Sequence, residues 1–456
     1  MKTFFFYDLE TSGLSPREDR IMQFAGQRTD LDLNPLGSPV NFYVKLDDDT
    51  LPSPEAILTT KITPQKTLEE GITEKELCEI LVSEIFTPDT ISLGYNNVRF
   101  DDEFIRHLFW RNFIDPYEWQ WKDGRNRWDL LDIVRITRAL RGEGISWPVT
   151  DEGKPTNRLE LLTKMNNLEH ESAHDASSDV FATIAVARLI REKQPKLFSY
   201  FFTHRDKNTL KPLLDPKNPQ NLVYTSGSYG ATHNFTTVIR PLAEGKNSSV
   251  LVYDLRYSYN ELKSLLEKKD DPTASPNPKK IIKSVALNRC PVLAPLSILD
   301  AENGWEKLDL NRATVLKNAE DIEAHKSEIL SLAKSLELPP FPPAATPESA
   351  LYDAFLPDSD RRLCEEVRNL DEPALMKKFH PTFADPRLSP LFLHYKAKNF
   401  KSTLTDAELA EWESYRATRL NAQSKPFLDS LTRLKSEGKD DFLLEELSLY
   451  FSSLAQ

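Results

Sequence analysis

Apolar and polar positions change their period several times along this chain, and each change marks an element. Residues 4–10 read FFFYDLE, an aromatic and apolar run that predicts a strand whose side chains alternate between faces. Asp8 and Glu10 therefore leave from one face, with Cα atoms roughly 7 Å apart at a rise of about 3.3 Å per residue. Thr11, Ser12 and Gly13 end the strand and leave both acids at its C-terminal end, where open α/β sheets hold ligands. From Asp101 the spacing becomes helical, with Phe104, Ile105 and Leu108 on the face of Asp101. Asp102 shares its face with Ile105, Arg106 and Phe109, a more mixed set. Asp101 is thus the inward acid, and Asp102 a helix-start residue favoured by the macrodipole. A third run, Asp179 through Val180, Phe181, Ile184, Val186, Ala187 and Ile190, predicts a helix packed on the core. His174 lies about 500° around that helix from Asp179, at 100° per residue, so it belongs to the preceding loop.

Strand-like and helical segments alternate up to residue 194. Beyond it the chain is β-rich in places (NLVYTSGSYG, SSVLVYDLRY, VALNRCPVLAPL), with one helix expected around DIEAHKSEILSLAKSL. LPPFPPAATP cannot form a regular helix and reads as a semi-rigid linker. After it, ELAEWESYRATRL and DFLLEELSLYFSSL show helix-period apolar stripes. The expected division is an α/β domain over 1–194, a mixed α+β domain over 195–338, a Pro-rich linker over 339–347 and an all-helical domain over 348–456.

Composition narrows the function classes. A chain of 456 residues has room for two or three domains. Its net charge of −12 excludes a polycation that holds nucleic acid by bulk charge, so any such contact needs a local basic groove. The three cysteines, Cys78, Cys290 and Cys364, lie far apart, against both a zinc cluster and a disulfide framework. No segment approaches the roughly 20 apolar residues of a membrane span. A soluble cytoplasmic protein without a membrane partner is expected.

Several acids converging with one histidine build a site for divalent metals that cut phosphodiester bonds. Two acids that merely end an edge strand would give the same D-x-E pattern, and a lone His before a helix is more often a loop or capping residue. A neutral His beside cations can instead take a proton from an attacking water. Between Arg106 and Arg135, aromatic and basic residues interleave, a pattern suited to stacking bases and meeting phosphates of a single strand. Core tryptophans and solvated arginines would produce much of the same pattern. Arg106, Tyr117, Trp121 and Arg135 are the favoured contacts. Arg158 opens the RLELLTK helix after Asn157, an N-cap candidate with Glu160 three residues on; its charge suits a terminal phosphate. Lys207 and Tyr229 are candidates to line a channel in the second domain. Lys396, Lys398 and Lys401 form a basic run of the kind that is usually solvated.

DLETSGL, NNVRFDD and HDASSD, in this order and spacing, resemble the three exonuclease motifs of the DnaQ-like family of DEDDh type. LGYNNVRFDDEF, RWDLLD, ISWP, RLELLTK, FTHR, CPVLAP and LYDAF extend the resemblance along essentially the whole chain, to a bacterial DNA-degrading branch of that family. It departs at Asn166 and Asn167, where many relatives carry Gly. The resemblance implies an RNase H-like catalytic domain, then an SH3-like barrel with insertions, then the helical domain. It implies that Asp8, Glu10, Asp101 and Asp179 bind metal, with Glu10 also meeting substrate, and that His174 is the general base. The implied cofactor is a pair of Mg²⁺ ions, which Mn²⁺ could replace. The implied activity is stepwise, processive 3′→5′ hydrolysis of single-stranded DNA to 5′-mononucleotides, in DNA repair and recombination, by a monomer. A further implied partner is the acidic, apolar tail of single-stranded DNA-binding protein, with Arg141 and Tyr200 as candidate contacts. Two rivals are a 3′→5′ exoribonuclease on the same catalytic domain and a non-catalytic strand-binding protein.

Overall fold

The aromatic run near the start becomes the middle strand of a five-stranded sheet in the computed structural model, which describes residues 1–168, 176–267, 281–335 and 342–454. The strands are β1 (Thr3–Thr11), β2 (Ile21–Thr29), β3 (Val40–Tyr43), β4 (Thr90–Gly94) and β5 (Asn126–Asp129), in the order β3-β2-β1-β4-β5. β1 runs antiparallel to β2 and parallel to β4, so one half of the sheet is a meander and the other is built by crossovers. Phe4 and Phe6 point to a core shared with Trp128 and Val180, whereas Phe5, Tyr7 and Leu9 point to one shared with Phe104, Ile105 and Leu108. Both faces of β1 are therefore covered, which explains why its sequence is apolar almost throughout until Asp8.

The helices of this domain are α1 (Pro54–Thr60), α2 (Pro64–Glu70), α3 (Glu74–Ile80), α4 (Asp101–Arg111), α5 (Leu130–Leu140), α6 (Leu159–Met165) and α7 (Ala176–Lys193), with α8 (Pro195–Thr203) directly after it. α4 starts at the expected acid, and α7 buries Val180, Ile184, Val186, Ala187 and Ile190. Phe181, read as part of that apolar run, is exposed.

The second sheet is antiparallel throughout, in the order β10-β6-β7-β8-β9: β6 (Leu222–Thr225), β7 (Thr236–Glu244), β8 (Ser249–Asp254), β9 (Ile282–Ala286) and β10 (Val292–Pro295). β7 was absent from the sequence reading because Arg240 and Pro241 interrupt its pattern. Its register shifts between Pro241 and Ala243, an irregularity of the kind that accommodates proline in a strand. The single helix expected around residues 321–336 is instead two, Arg312–Ala324 and Lys326–Ser335. They part at His325, whose Nδ1 lies 2.9 Å from the Asp321 carbonyl and whose ring stacks on Tyr259. The first two regions share one apolar core, in which Phe4 and Trp128 join Val223, Val238 and Tyr253.

The chain from residue 342 is helical, ending in the 31-residue helix Asp406–Ser436 and the helix Asp441–Leu454. It grips the first domain twice through apolar contacts: Phe427, Leu431 and Leu444 meet Met22 and Ile57, and Leu351, Val367 and Phe392 meet Trp110 and Phe113. Between these grips lies a buried ion network. Arg20 pairs with Glu348, Lys398 reaches Glu348 at 2.9 Å and Asp47 at 2.9 Å, and Arg419 reaches Glu18 at 3.0 Å. The basic run is thus mostly inward. Lys396 is buried and paired with Glu408 at 2.6 Å, Lys398 is half-buried and held by the network, and only Lys401 is exposed, 3.3 Å from Glu413.

Candidate active site

The C-terminal end of β1 carries Asp8 and Glu10 from one face, as strand alternation requires. α7 packs against that strand and brings Asp179 in its first turn over the same edge. Carboxylate oxygens of Asp8, Glu10 and Asp179 all lie within 4.8 Å of one another, and all three residues are half-buried. At that separation two carboxylates repel by roughly 3–4 kcal/mol at an effective dielectric near 20. Three oxygen donors so placed suit a hard divalent cation, which takes carboxylate ligands and cancels their repulsion.

Asp101 joins from the other side of the strand. The Leu9 amide donates to its Oδ1 at 3.1 Å, so this carboxyl is fixed to the β1 backbone between the two site acids. Burial first, then the charges of Asp102 and Asp129, push its pKa up to about 8, although the backbone amides of Asp101 and Leu9 pull the other way. A cation nearby would reverse that balance.

Asp102 departs from its reading as a simple helix-start residue. It is fully buried, accepts from the Tyr7 hydroxyl and from Arg127, and lies 3.3 Å from Asn97 Nδ2. Arg127 also donates to the Asn288 carbonyl of the second domain. Helical phase located the apolar stripe of α4, but the first turn is enclosed on both sides, so phase could not separate a buried acid from an exposed one. Asn157 is not the N-cap of α6; Arg158 holds that position with no side-chain capping bond. Asn157 instead accepts from Arg138, at 3.4 Å. Asn167 has φ 52°, a left-handed conformation that Asn tolerates.

Asp8 and Asp179 face a cleft of about 440 Å³, whose walls include Tyr95, Leu131, Arg135, Arg158 and Phe235. Asp129, two residues before the cleft residue Leu131, accepts from the amides of Asn96 at 3.0 Å and Val98 at 3.3 Å; burial and Asp132 raise its pKa to about 6. Arg158 is exposed at the cleft and Arg135 is held by Asp132 at 2.6 Å. His174 lies outside the described residues, just before α7.

The remaining candidates fall elsewhere. Trp121 is exposed, whereas Trp110, Trp119 and Trp128 are core. Tyr117 borders a second cavity, of about 230 Å³, together with the exposed Phe355, the two rings 6.2 Å apart. Arg106 is buried, paired with Glu103 and Gln120 at 2.8 Å each, and lies 5.6 Å from the Tyr117 ring centroid. Lys207 is exposed, 2.9 Å from Ser248 Oγ, and Tyr229 is half-buried beneath Lys283. Arg141 donates to the Ile298 carbonyl at 2.9 Å, and Tyr200 stacks on His204. Sequence reasoning missed Tyr95, Leu131 and Phe235 as cleft residues. Tyr95 and Leu131 lie inside the LGYNNVRFDDEF and RWDLLD segments without a periodic signal that marks them as cleft residues, and Phe235 lies in no motif at all; the cleft exists only once two domains meet.

A mixed sheet with acids gathered at the end of its middle strand, closed by a helix bearing another acid, defines a divalent-metal exonuclease with an RNase H-like catalytic domain. Residues 5–187 match the exonuclease family model, 205–336 the exonuclease I SH3-like domain and 345–454 the exonuclease I C-terminal domain. The chain is 40% identical over 467 residues to exodeoxyribonuclease I of Haemophilus influenzae, covering 98% of this chain and 96% of that one. It superposes on Escherichia coli exonuclease I in complex with a dA16 oligonucleotide with a TM-score of 0.93, at 38% identity and with both chains fully covered. A zinc-bound E. coli complex with single-stranded DNA gives the same TM-score, identity and coverage. The chain belongs to the exodeoxyribonuclease I family, the bacterial branch indicated by its motifs. No helix among the described residues is long and apolar enough to cross a membrane.

Proposed function

We propose that this protein hydrolyses single-stranded DNA stepwise from its 3′ end, releasing 5′-mononucleotides, with Mg²⁺ as its cation and Mn²⁺ able to substitute. The observation that carries this reading is the gathering of Asp8, Glu10 and Asp179 within 4.8 Å at a cleft, in a chain matched end to end by exodeoxyribonuclease I. When bound, two divalent cations supply Lewis-acid chemistry that activates water and neutralises charge on the leaving oxygen. Asp8, Glu10 and Asp179 would hold them, and Glu10 also meets the substrate. Asp101, pinned to the Leu9 amide, orients that end of β1 and the solvent shell of one cation. His174 takes the proton from the attacking water, and Arg158 meets the phosphate at the strand end. Tyr117, Trp121, Arg135, Lys207 and Tyr229 contact the strand. Arg106, buried against Tyr117, acts by positioning that ring.

The working division is a catalytic domain over 1–194, an SH3-like domain over 195–338, a linker over 339–347 and a helical domain over 348–456, acting as a cytoplasmic monomer in DNA repair. The added domains wrap the strand and favour processive digestion. Arg141 and Tyr200 serve the acidic tail of single-stranded DNA-binding protein. DNA and RNA oligomers labelled at either end test the central reading. Mononucleotides should leave DNA from the 3′ end, release should stop with EDTA, and RNA should be spared. Equal digestion of RNA would favour the exoribonuclease, and binding without turnover the strand-binding module. His174→Ala should slow single-turnover cleavage by about 10²–10⁴-fold, with strand binding retained; an unchanged rate and pH profile would make His174 structural.

A further inference from the structure

We propose that Phe235, supplied to the catalytic cleft by the second domain, is a stacking platform for a nucleobase among the last nucleotides of the strand. The proposal rests on the single-strand exonuclease reading above. Phe235 lines the same cleft as Asp8, Asp179 and Arg158, although it lies in the turn between two strands of the other sheet. It is half-buried and belongs to none of the apolar clusters found among the described residues, so core packing does not account for the ring.

The backbone is set in an unfavourable way to present it. Asn234 and Phe235 have φ 49° and 56°, two successive non-glycine residues in the left-handed region, where a bulky side chain is rarely placed. Two hydrogen bonds hold the conformation: the Phe235 amide donates to the Gly230 carbonyl at 2.9 Å, and the Ser226 amide donates to the Phe235 carbonyl at 2.8 Å. Strain maintained by its surroundings beside a reacting centre points to a functional demand on the residue that bears it.

The ring is also oriented across the domain boundary. The Arg135 guanidinium carbon lies 4.7 Å from its centroid, and Asp132 holds that guanidinium from behind at 2.6 Å. The same turn closes on Arg135 from another direction at Gly227, where an added Cβ would stand 3.0 Å from Arg135 Nη1. Arg135 is thus clasped by the turn that carries Phe235, and both side chains line the cleft. A rigid aromatic face beside a phosphodiester-cutting site, backed by a cation, suits a planar base of any sequence.

The test compares wild type with Phe235→Ala on DNA oligomers that are intact or carry one abasic site at each of the last four positions. Phe235→Ala should lower kcat/KM on intact DNA by about 5- to 100-fold, the range for losing one stacking platform, chiefly through KM. At one abasic position the substitution should cost nothing further, because wild type has already lost the same contact. Phe235→Trp should restore activity and Phe235→Leu should not. Hydrolysis of bis-p-nitrophenyl phosphate, which has no base, should be unchanged in all variants. Losses that multiply at all four positions, or an equal loss on the base-free ester, overturn the assignment. The wild-type arm, read for nucleotide release from the 3′ end, reports separately on the exonuclease reading.

Discussion

The catalytic edge and the seat of the C-terminal domain both bury carboxylates, yet they are organised in opposite ways. At the seat, acids alternate with cations: Glu348 meets Arg20 and Lys398, and Asp49 lies between Lys398 and Arg419. Burial alone would raise the Glu348 pKa, but Lys398 and Arg20 hold it well below the ordinary carboxylate range. At the catalytic edge, acids are gathered with acids, and the buried Asp101 is pushed upward by burial and by Asp102 and Asp129. The first arrangement pairs its acids with cations within the fold, although burial still pushes the pKa of Asp47, 2.9 Å from Lys398, up to about 6. The second leaves a balance that a ligand can change, which is the difference between a clasp and a candidate metal site. The two are close in the chain, because the amide of Ser12, two residues beyond Glu10, donates to the Arg20 carbonyl at 2.9 Å and the Arg20 amide donates to Ser12 Oγ at 2.9 Å. The clasp therefore steadies the loop that follows the site acids.

The contrast can be broken most sharply at Asp179. Asp179→Ala should reduce Mg²⁺-dependent cleavage to background while thermal stability without metal is kept or raised, because one of several mutually repelling acids has gone. Near-normal turnover in the purified variant would remove Asp179 from the site. The opposite signature is expected at the clasp. Glu348→Gln should cost about 3–5 kcal/mol in urea denaturation, the usual penalty for leaving buried cations without their acid. A change under about 1 kcal/mol would mean that the network contributes no more than exposed pairs do.

The smallest effect sharpens the comparison through pH. The folded Asp101 carboxyl, at about 8, releases its proton later than the unfolded one, near 3.9. Between those values the unfolded chain is the more ionised state, so the contribution of this group to stability falls as pH rises through that window. Asp101→Asn should remove that slope and stabilise the metal-free protein at pH 8 by roughly 1–3 kcal/mol, a discounted reading of 1.36 kcal/mol per pKa unit. The same variant should lose most cleavage, since a neutral amide cannot offset the charge of cations. Denaturation curves at pH 5 and pH 8, with and without Mg²⁺, decide it; an unchanged slope would place the titration elsewhere.

Sequence alone determined the local geometry, because that geometry is carried by period. Alternation along FFFYDLE put Asp8 and Glu10 on one face, the 3.6-residue spacing started α4 at Asp101, and the apolar run after Asp179 gave α7. The ordered motifs then indicated the family. Tertiary structure decided everything that depends on what lies opposite a residue. Asp102 reads in the sequence as a helix-start residue and Lys398 as part of a solvated run, yet in the fold Asp102 is buried against Arg127 and Lys398 is half-buried against Glu348, because these partners come from elsewhere in the chain. Phe235 has no periodicity to announce it and enters the cleft only because a turn of one sheet closes over Arg135 beside the other. A side chain's period is set by its own neighbours in sequence, whereas its desolvation and its charge partners are set by distant segments that only the folded chain brings together.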